Sequence, residues 1–203
     1  QVDSILNQTI TDFELIICDD CSTDSTFQIL QEYTENDSRI KLYQNEKNLG
    51  FKKNFEKAIS LDKSNAEAWY GLSTTLIELG KYSKAVDAAL QAAEKYENAT
   101  LYDDKIAFRN DALVQAGEAY LWNKKKKEAM AQFQSVYDLD PENGDVLMNI
   151  VATYIRCEYA DEALMFCEKN TATYGENLRA VTLLQEMLRM LQEEKDGVRE
   201  ATE

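Results

Sequence analysis

Residues 110–143 read NDALVQAGEAYLWNKKKKEAMAQFQSVYDLDPEN, and their spacing predicts two antiparallel helices joined by a short turn. Small residues at Gly117 and Ala129 allow the helices to approach closely, while Tyr120 and Phe133 fill the space around that contact. Pro141 cannot continue a helix, so it ends the second one. Because a single helical hairpin cannot bury its apolar face alone, the stretch implies neighbouring hairpins of the same kind.

The neighbouring hairpins are visible as copies of this pattern. Residues 66–99 read AEAWYGLSTTLIELGKYSKAVDAALQAAEKYENA and form the cleanest copy, with Ala85 in the place of Ala129. Residues 144–177 form a weaker third copy, in which Ala163 takes that place. The pattern and its period of about 34 residues resemble the tetratricopeptide repeat, whose helical hairpins stack into a solenoid.

The ends of the repeat region are also marked in the sequence. The first two copies are about ten residues further apart than one repeat, so we expect an extended helix end or a longer loop around Thr100–Arg109. After the third copy, residues 178–191 predict one more amphipathic helix that caps the solenoid. Its apolar stripe consists of Val181, Leu184, Leu188 and Leu191. Residues 192–203 are charged and contain Gly197 as a breaker, so we expect a frayed tail.

The N-terminal segment has a different pattern, in which helices and strands alternate. Residues 2–6 indicate a helix end, and residues 13–18, FELIIC, form a nearly continuous apolar run that predicts a buried strand. Residues 40–43, IKLY, predict a second strand, and a turn at residues 48–50 leads into a helix near Phe51. This order predicts a right-handed βαβ unit followed by another helix.

Residues 4–60 resemble the start of the family 2 glycosyltransferases, which adopt the GT-A fold. The matching features are a helix end reading SILNQT, an apolar strand, the string DDCSTD, and NLG. In that family the acidic pair after the strand helps to hold the nucleotide of a sugar-nucleotide donor. The resemblance carries this role over to Asp19 and Asp20, with Asp20 facing the base. Ligands do bind at the carboxyl ends of strands in such folds.

Several parts of that family are absent from this sequence. The family's first strand would precede Ser4, and its D-x-D motif for metal and diphosphate would lie beyond Gly50, where the repeats begin instead. The acceptor half and the catalytic base are missing too. We therefore expect no catalysis and no cofactor. The alternative is a glycosyltransferase-derived protein that keeps part of a donor site for a uridine diphosphate sugar with manganese or magnesium.

The junction between the two patterns fits both families. Phe55 lies one repeat period before Ala89, so the last helix of the N-terminal segment can serve as the second helix of a half repeat. We interpret the chain as a fusion at this shared pattern. The predicted fold is mostly α, with a partial glycosyltransferase-like α/β element over residues 1–60 and repeats over residues 61–177. The capping helix and charged tail follow over residues 178–203.

The composition limits the partners and the compartment. The formal net charge is −15, which disfavours nucleic acid and anionic membranes and favours apolar or basic partners. The chain is 44% hydrophobic, yet no apolar run is long enough for a membrane span, and no signal peptide is visible. We therefore expect a cytoplasmic protein. The first residue is Gln, which indicates a processed form or a fragment.

Four cysteines and a run of four lysines are further candidates for a chemical site. Cys18 and Cys21 have the C-x-x-C spacing of a redox or zinc half-site, but the sequence has no histidine and no second C-x-x-C pair. A strand-end thiol and a turn thiol are the simpler interpretation. Cys157 and Cys167 are expected to be core thiols. Residues 124–127 are four lysines, which we interpret as a solvated turn between helices.

The function we expect is that of a non-enzymatic interaction scaffold. In the repeat family the first helix of each hairpin lines the concave face, which binds a peptide or a helix. The resemblance assigns the following residues to this groove: Tyr70, Thr74, Ile77, Val114, Glu118, Leu121, Trp122, Met148, Ile155 and Arg156. The set is apolar with an acidic edge, which suits an amphipathic or basic peptide. Alternatively, its apolar members pack against the N-terminal element or the capping helix.

The edge of strand 13–18 is a second candidate surface. Because the family's first strand is missing, we expect one edge of this apolar strand to lack a partner. A two-stranded sheet is marginal alone, and an open apolar edge promotes pairing with another chain. The strand should therefore pair with another chain, including by self-association, or the element should be held by docking on the first repeat.

Overall fold

A computed structural model of the chain describes residues 2–9, 11–99 and 104–200, with side chains described as far as residue 193. A two-stranded parallel sheet with three helices precedes an array of stacked helices. The strands are β1 (Leu15–Asp19) and β2 (Ile40–Gln44). The helices are α1 (Val2–Leu6), α2 (Thr26–Asn36), α3 (Phe51–Leu61), α4 (Ala66–Glu78), α5 (Tyr82–Asn98), α6 (Lys105–Trp122), α7 (Lys126–Leu139), α8 (Gly144–Arg156), α9 (Ala160–Thr173) and α10 (Leu178–Glu200). The six predicted repeat helices are confirmed as α4 to α9.

The three hairpins share one kind of turn between their helices. Gly80, Lys124 and Glu158 occupy equivalent positions and have φ angles of 68°, 59° and 66°. In each turn the next residue donates its N–H to the carbonyl five residues back, at 2.8–2.9 Å. This is the hydrogen bond of a Schellman motif, which satisfies carbonyls left over at a helix end. The turn therefore recurs although only one of the three residues is a glycine.

The first helices of the hairpins begin at side-chain caps. Asn65 accepts from the N–H of Ala68 at 2.8 Å, and Asn143 accepts from the N–H of Val146 at 3.2 Å. Asp104 caps α6 in the same way, and Asn177 caps α10. Each cap satisfies a donor that the helix itself cannot use. Because α10 starts like a first helix, it continues the repeat pattern at the end of the array.

The extra residues between the first two repeats extend both helices that flank them. α5 has 17 residues and α6 has 18, which confirms the extended helix end as one of the two expected forms. The extensions pack on each other through Tyr96 and Phe108, whose rings stack with centroids 5.5 Å apart. Arg109 reaches Glu97 at 3.6 Å. Residues 100–103 lie outside the described part of the chain.

The contact between the helices of the central hairpin is the one that the small residues predict. Ala129 is fully buried, and the ring of Phe133 lies against Gly117. Phe133 also packs edge-on against Tyr154 of α8, with centroids 4.7 Å apart. The apolar core thus runs from the second hairpin into the third and on to Leu184 of α10.

The capping helix is longer than the sequence predicted. α10 continues to Glu200 and passes through Gly197, so the expected break and frayed tail from residue 192 are not found in the described residues. Residues 201–203 lie outside them. A glycine inside a helix costs about 1 kcal/mol relative to alanine, which a long helix tolerates.

The N-terminal element is joined to the repeats through α3. β1 pairs with β2 in parallel, with Leu15 opposite Ile40, and α3 packs on β1 on one side and on α4 on the other. The ring of Phe55 in α3 fills the space next to Gly71 of α4. α3 therefore holds the place of a second helix ahead of the first full repeat, as the half-repeat interpretation requires.

Candidate functional site

The first helices of the hairpins form one layer of the array. α4 touches α6, α6 touches α8, and α8 touches α10, whereas in the described part of the chain α5, α7 and α9 pack mainly on first helices rather than on one another. The layer whose helices touch is the inner one of a curved stack. The groove candidates, all on first helices, therefore share one face.

Three apolar candidates remain open to solvent. Met148 is 49% exposed, Ile155 38% and Trp122 37%, so neither the N-terminal element nor α10 covers them. Val114 and Leu121 require a correction, because they are only 4% and 1% exposed and belong to the core. α6 lies between two other first helices, so these positions face neighbouring helices instead of the groove.

A charged cluster joins α6 to α8 on this face. Arg156 donates to both carboxylate oxygens of Glu118, at 2.8 and 3.2 Å, and the indole N–H of Trp122 donates to the same carboxylate at 3.3 Å. Burial raises the pKa of the Tyr70 phenol, and the charges of Asp111 and Glu118 raise it further. Tyr70 therefore lies within electrostatic reach of the cluster, so the structure brings these candidates together.

The structure adds residues that the sequence analysis missed. Gln115 is 8% exposed and donates to the hydroxyl of Thr74 at 2.6 Å, which links α4 to α6. Asn149 donates to Asp111 at 2.9 Å, which links α6 to α8. Gln115 and Asn149 hold the same position in successive repeats. A polar residue that recurs at one repeat position is the signal that could have identified them.

Acidic side chains line the start of the first helices. Glu67, Asp111 and Asp145 are all exposed, each at the second position of its repeat. Ile77 is half-buried and Thr74 is exposed on the same face. The face thus combines exposed apolar side chains with a row of carboxylates, while Arg156 is already engaged by Glu118.

Asp19 lies at the carboxyl end of β1 and is buried. It accepts from the backbone N–H of Ser22 at 3.1 Å, from the Ser22 hydroxyl, and from the Gln44 side chain at 3.0 Å. Burial by itself would raise the pKa of this carboxyl, but the hydrogen bonds from Ser22 and Gln44 outweigh it and the pKa lies below its ordinary value. Asp19 therefore fixes the turn after β1.

Asp20 is engaged by the loop between β2 and α3. Its carboxylate accepts from the backbone N–H groups of Leu49 at 2.7 Å and Gly50 at 2.8 Å, and from the Asn45 side chain at 2.9 Å. The hydrogen bond from Leu49 is the largest influence, and together these bonds hold the pKa of Asp20 below its ordinary value. Both oxygens accept from the protein's own donors, so Asp20 ties the turn after β1 to the loop before α3.

The same loop fastens α3 to the sheet through two asparagines that the sequence analysis did not single out. Asn45 donates to the Asn54 side chain at 2.9 Å, and Asn54 donates to the backbone carbonyl of Cys18 at 2.9 Å. Gly50 precedes α3 with a φ angle of 77°, which a residue with a side chain rarely adopts. Asp20, Asn45 and Asn54 thus form one network that sets the position of α3.

The cysteines and one lysine of the run lie in surroundings that indicate structural roles. Within the residues that the structure describes, no three acidic or cysteine side chains come together in a way that could hold a metal ion. Burial raises the pKa of the Cys18 thiol, which disfavours the reactive thiolate. Cys157 and Cys167 are buried, as expected for core thiols. Among residues 124–127, Lys126 pairs with Glu162 at 2.5 Å.

Among the helices that the structure describes, none combines the length and the hydropathy that a membrane span requires.

Comparison with known families agrees with the two patterns. Residues 2–65 match the family model described as Glycosyl transferase family 2, and residues 54–87 and 111–143 match two models described as Tetratricopeptide repeat. The chain therefore carries an N-terminal glycosyltransferase family 2 segment followed by tetratricopeptide repeats. The glycosyltransferase match and the first repeat match overlap over residues 54–65, which include most of α3.

Individual relatives resemble separate parts of the chain. Chondroitin synthase of Escherichia coli is 55% identical over 49 residues, which are 24% of this chain and 7% of that protein. The putative glycosyltransferase EpsE of Bacillus subtilis (strain 168) is 50% identical over 48 residues, 23% of this chain and 17% of that protein. The chain thus spans only a small part of the curated relatives that it matches.

Two solved structures were also found to be similar. One is TTC0263, a thermophilic TPR protein of Thermus thermophilus, with 17% identity, coverage of 68% of this chain and 88% of that chain, and a TM-score of 0.23. The other is YrrB, described as a TPR protein with an unusual peptide-binding site, with 20% identity, coverage of 76% and 86%, and a TM-score of 0.25.

Proposed function

We propose that this protein is a non-enzymatic interaction scaffold whose first-helix face binds a segment of another protein. The observation that carries the proposal is the exposure of Trp122, Met148 and Ile155 on that face. Large apolar side chains that stay exposed beside polar groups are typical of binding surfaces. The matches to tetratricopeptide repeats support the same class of function, because stacked hairpins create extended binding surfaces.

The partner that fits this face combines apolar and basic side chains. Glu67, Asp111 and Asp145 place negative charge along one side of the apolar residues, and the whole chain carries a formal charge of −15. A positively charged segment is attracted over a distance and is then held by apolar contacts. An amphipathic helix or an extended peptide with lysines or arginines on one side has this chemistry.

Peptide selection followed by two matched variants tests the proposal. Peptides would be selected from a random display library on the immobilised protein, and their affinities measured by fluorescence anisotropy. Met148→Glu should lower the affinity for the selected peptides at least about tenfold, because it places a charge in the apolar contact. Met165→Glu is the control, since Met165 is 56% exposed on a second helix, outside this face. Equal effects of both variants, or selected peptides that are acidic, would contradict the proposal.

For the N-terminal element we propose a structural role without a cofactor. The support is that Asp20 uses both carboxylate oxygens to hold the loop before α3. A donor site for a uridine diphosphate sugar is the second candidate, favoured by the family match over residues 2–65. Titrating uridine diphosphate glucose with and without manganese separates the two. Saturable binding, sugar transfer or donor hydrolysis that is lost in Asp20→Ala would favour the donor site.

The compartment is also part of the proposal. The four cysteines are free, and two of them are buried in the repeat core. Free thiols are typical of proteins in a reducing environment, so we place the protein in the cytoplasm.

A further inference from the structure

Lysines gather in the turns of the first two hairpins. Lys81 and Lys84 follow the first turn, and residues 124–127 form the second turn and the start of α7. All six side chains are exposed. Lys126 pairs with Glu162 at 2.5 Å. Within the described part of the chain, the side chains of the other five make no ion pair and no hydrogen bond, so their charges are available to a partner.

The two turns lie side by side. The rings of Tyr82 and Trp122 stack with their centroids 6.4 Å apart. Tyr82 follows Lys81 directly, and Trp122 lies two residues before Lys124. The stacked rings therefore bring the five unpaired lysines into one basic surface. This surface, the lysine edge, consists of Lys81, Lys84, Lys124, Lys125 and Lys127.

The position of these lysines is unfavourable for the helices that carry them. Lys84 lies in the first turn of α5, which has no acidic residue there, and Lys127 lies in the first turn of α7. The amino end of a helix carries a partial positive charge, so a lysine there lowers stability and a carboxylate raises it. The equivalent helix of the third hairpin, α9, has Asp161 and Glu162 in its first turn, as this rule favours. Folding thus gives no reason for lysines in the first turns of α5 and α7.

The rest of the molecule limits what the lysine edge can bind. The chain has a formal charge of −15, and Glu78, Asp87 and Glu128 flank the lysines in the sequence. Nucleic acid, with one charge per about 1.7 Å of duplex, extends past the lysines and is repelled by the surrounding carboxylates. A short protein segment with a few carboxylates has the charge that the lysines attract and is small enough to avoid that repulsion.

We propose that the lysine edge binds a short acidic segment of a partner protein. The aspartates or glutamates of the segment pair with the five lysines, and the charge difference steers its approach. Trp122, which is 37% exposed, offers an apolar contact between the two turns. This partner has the opposite charge to the one proposed for the first-helix face, so the two proposals are independent of each other.

Three labelled probes test this on the full chain by fluorescence anisotropy. The first is a peptide of eight residues in which glutamate and serine alternate, the second carries glutamine in place of glutamate, and the third is an oligothymidine of eight nucleotides. The glutamate peptide should bind saturably at about 0.05 M salt and lose affinity towards about 0.5 M, because salt screens exposed charges. The other two should bind at least about tenfold more weakly. No binding of the glutamate peptide, or equal binding of either other probe, would overturn the proposal.

Two matched double variants locate the binding. Lys84→Gln with Lys127→Gln should lower the affinity for the glutamate peptide at least about tenfold. Lys53→Gln with Lys63→Gln removes the same charge from two exposed lysines outside the lysine edge and should have little effect. Equal losses in both would show that net charge, not this surface, attracts the peptide. A loss in Met148→Glu would place the peptide on the first-helix face. Either result contradicts the proposal.

A single charge reversal separates binding from folding. Lys127→Glu should lower the affinity for the glutamate peptide and raise the midpoint of urea denaturation, because a carboxylate suits the amino end of α7. A lower midpoint would show that the lysine serves the fold, which removes the reason for a binding role. Dimerisation in sedimentation experiments that Lys127→Glu abolishes would identify a second copy of the chain as the occupant and would also overturn the proposal.

Discussion

The ring of Phe133 lies against Gly117, in the space where a β-carbon on residue 117 would stand. A β-carbon at position 117 would lie 2.2 Å from a carbon of this ring, so the close packing of the two helices depends on glycine here. Phe133 also contacts Tyr154 of the next hairpin, so the same ring joins two repeats. The closeness of α6 and α7 thus determines how the third repeat stacks on the second.

Gly117→Ala should destabilise the protein although alanine favours helix formation. The added methyl group must displace the Phe133 ring, and overpacking typically costs about 1–3 kcal/mol, which over most of that range is more than the gain of about 1 kcal/mol in helix propensity. We expect a lower midpoint in urea denaturation followed by circular dichroism. Gly144→Ala is the control, because the nearest side-chain atom there is 3.5 Å from the new β-carbon. A loss of similar size in the control would contradict this reason.

Ala129→Leu should also destabilise the hairpin, by about 1–3 kcal/mol. Ala129 is fully buried between α6 and α7, so a larger side chain has no space. Thermal unfolding would measure the effect. Ala152→Leu is the matched control, because Ala152 is exposed on α8 and should tolerate the change. An unchanged melting temperature for Ala129→Leu would mean that the repeat register is wrong.

In the turns between the hairpin helices, adding a β-carbon should lower stability and removing one should raise it. Gly80, Lys124 and Glu158 all have positive φ, a conformation that costs a residue with a β-carbon about 1–2 kcal/mol. Gly80→Ala should therefore lower the free energy of unfolding, and Lys124→Gly should raise it. Denaturant titration of each variant measures both. Destabilisation by Lys124→Gly would show that its side chain contributes more than the backbone strain costs.

Asp20→Asn should loosen α3 and the sheet. The amide has one acceptor oxygen for three donors, so hydrogen bonds from Leu49, Gly50 or Asn45 are lost, at about 1–2 kcal/mol in total. Hydrogen exchange of residues 15–19 should become faster, while the amides of α8 remain protected. Uniform loss of protection along the chain would mean that the network does not act locally.

The effect of Asp20 should depend on pH with a definite sign. Its pKa in the folded protein is lowered from 3.8, so its contribution to stability is present above that value and is lost as the pH falls through it towards the folded pKa. The difference in exchange between wild type and Asp20→Asn should therefore be largest near neutral pH and shrink below about pH 4. A difference that stays constant down to about pH 3 would contradict the assignment.

The sequence by itself determined the repeat architecture. The hairpins form by packing between helices that are neighbours along the chain. The spacing of the small residues Gly117 and Ala129 and of the helix-ending Pro141 is therefore enough to predict them. The double use of α3 was predictable for the same reason, since Phe55 falls in the repeat register and lies next to Gly71. Periodicity predicts local packing well because the contacting residues lie on helices that follow each other in the chain, within about one repeat length.

The tertiary structure decided what the two candidate sites offer to a ligand. Val114 and Met148 hold equivalent positions in successive repeats, yet one is buried and the other is half exposed, because exposure depends on the helices on either side. Asp20 has its donors 29 and 30 residues away, in a loop whose path only the folded sheet determines. Repeat spacing carries no information about such distant partners, and for this reason only the structure shows the network through which Asp20 holds α3.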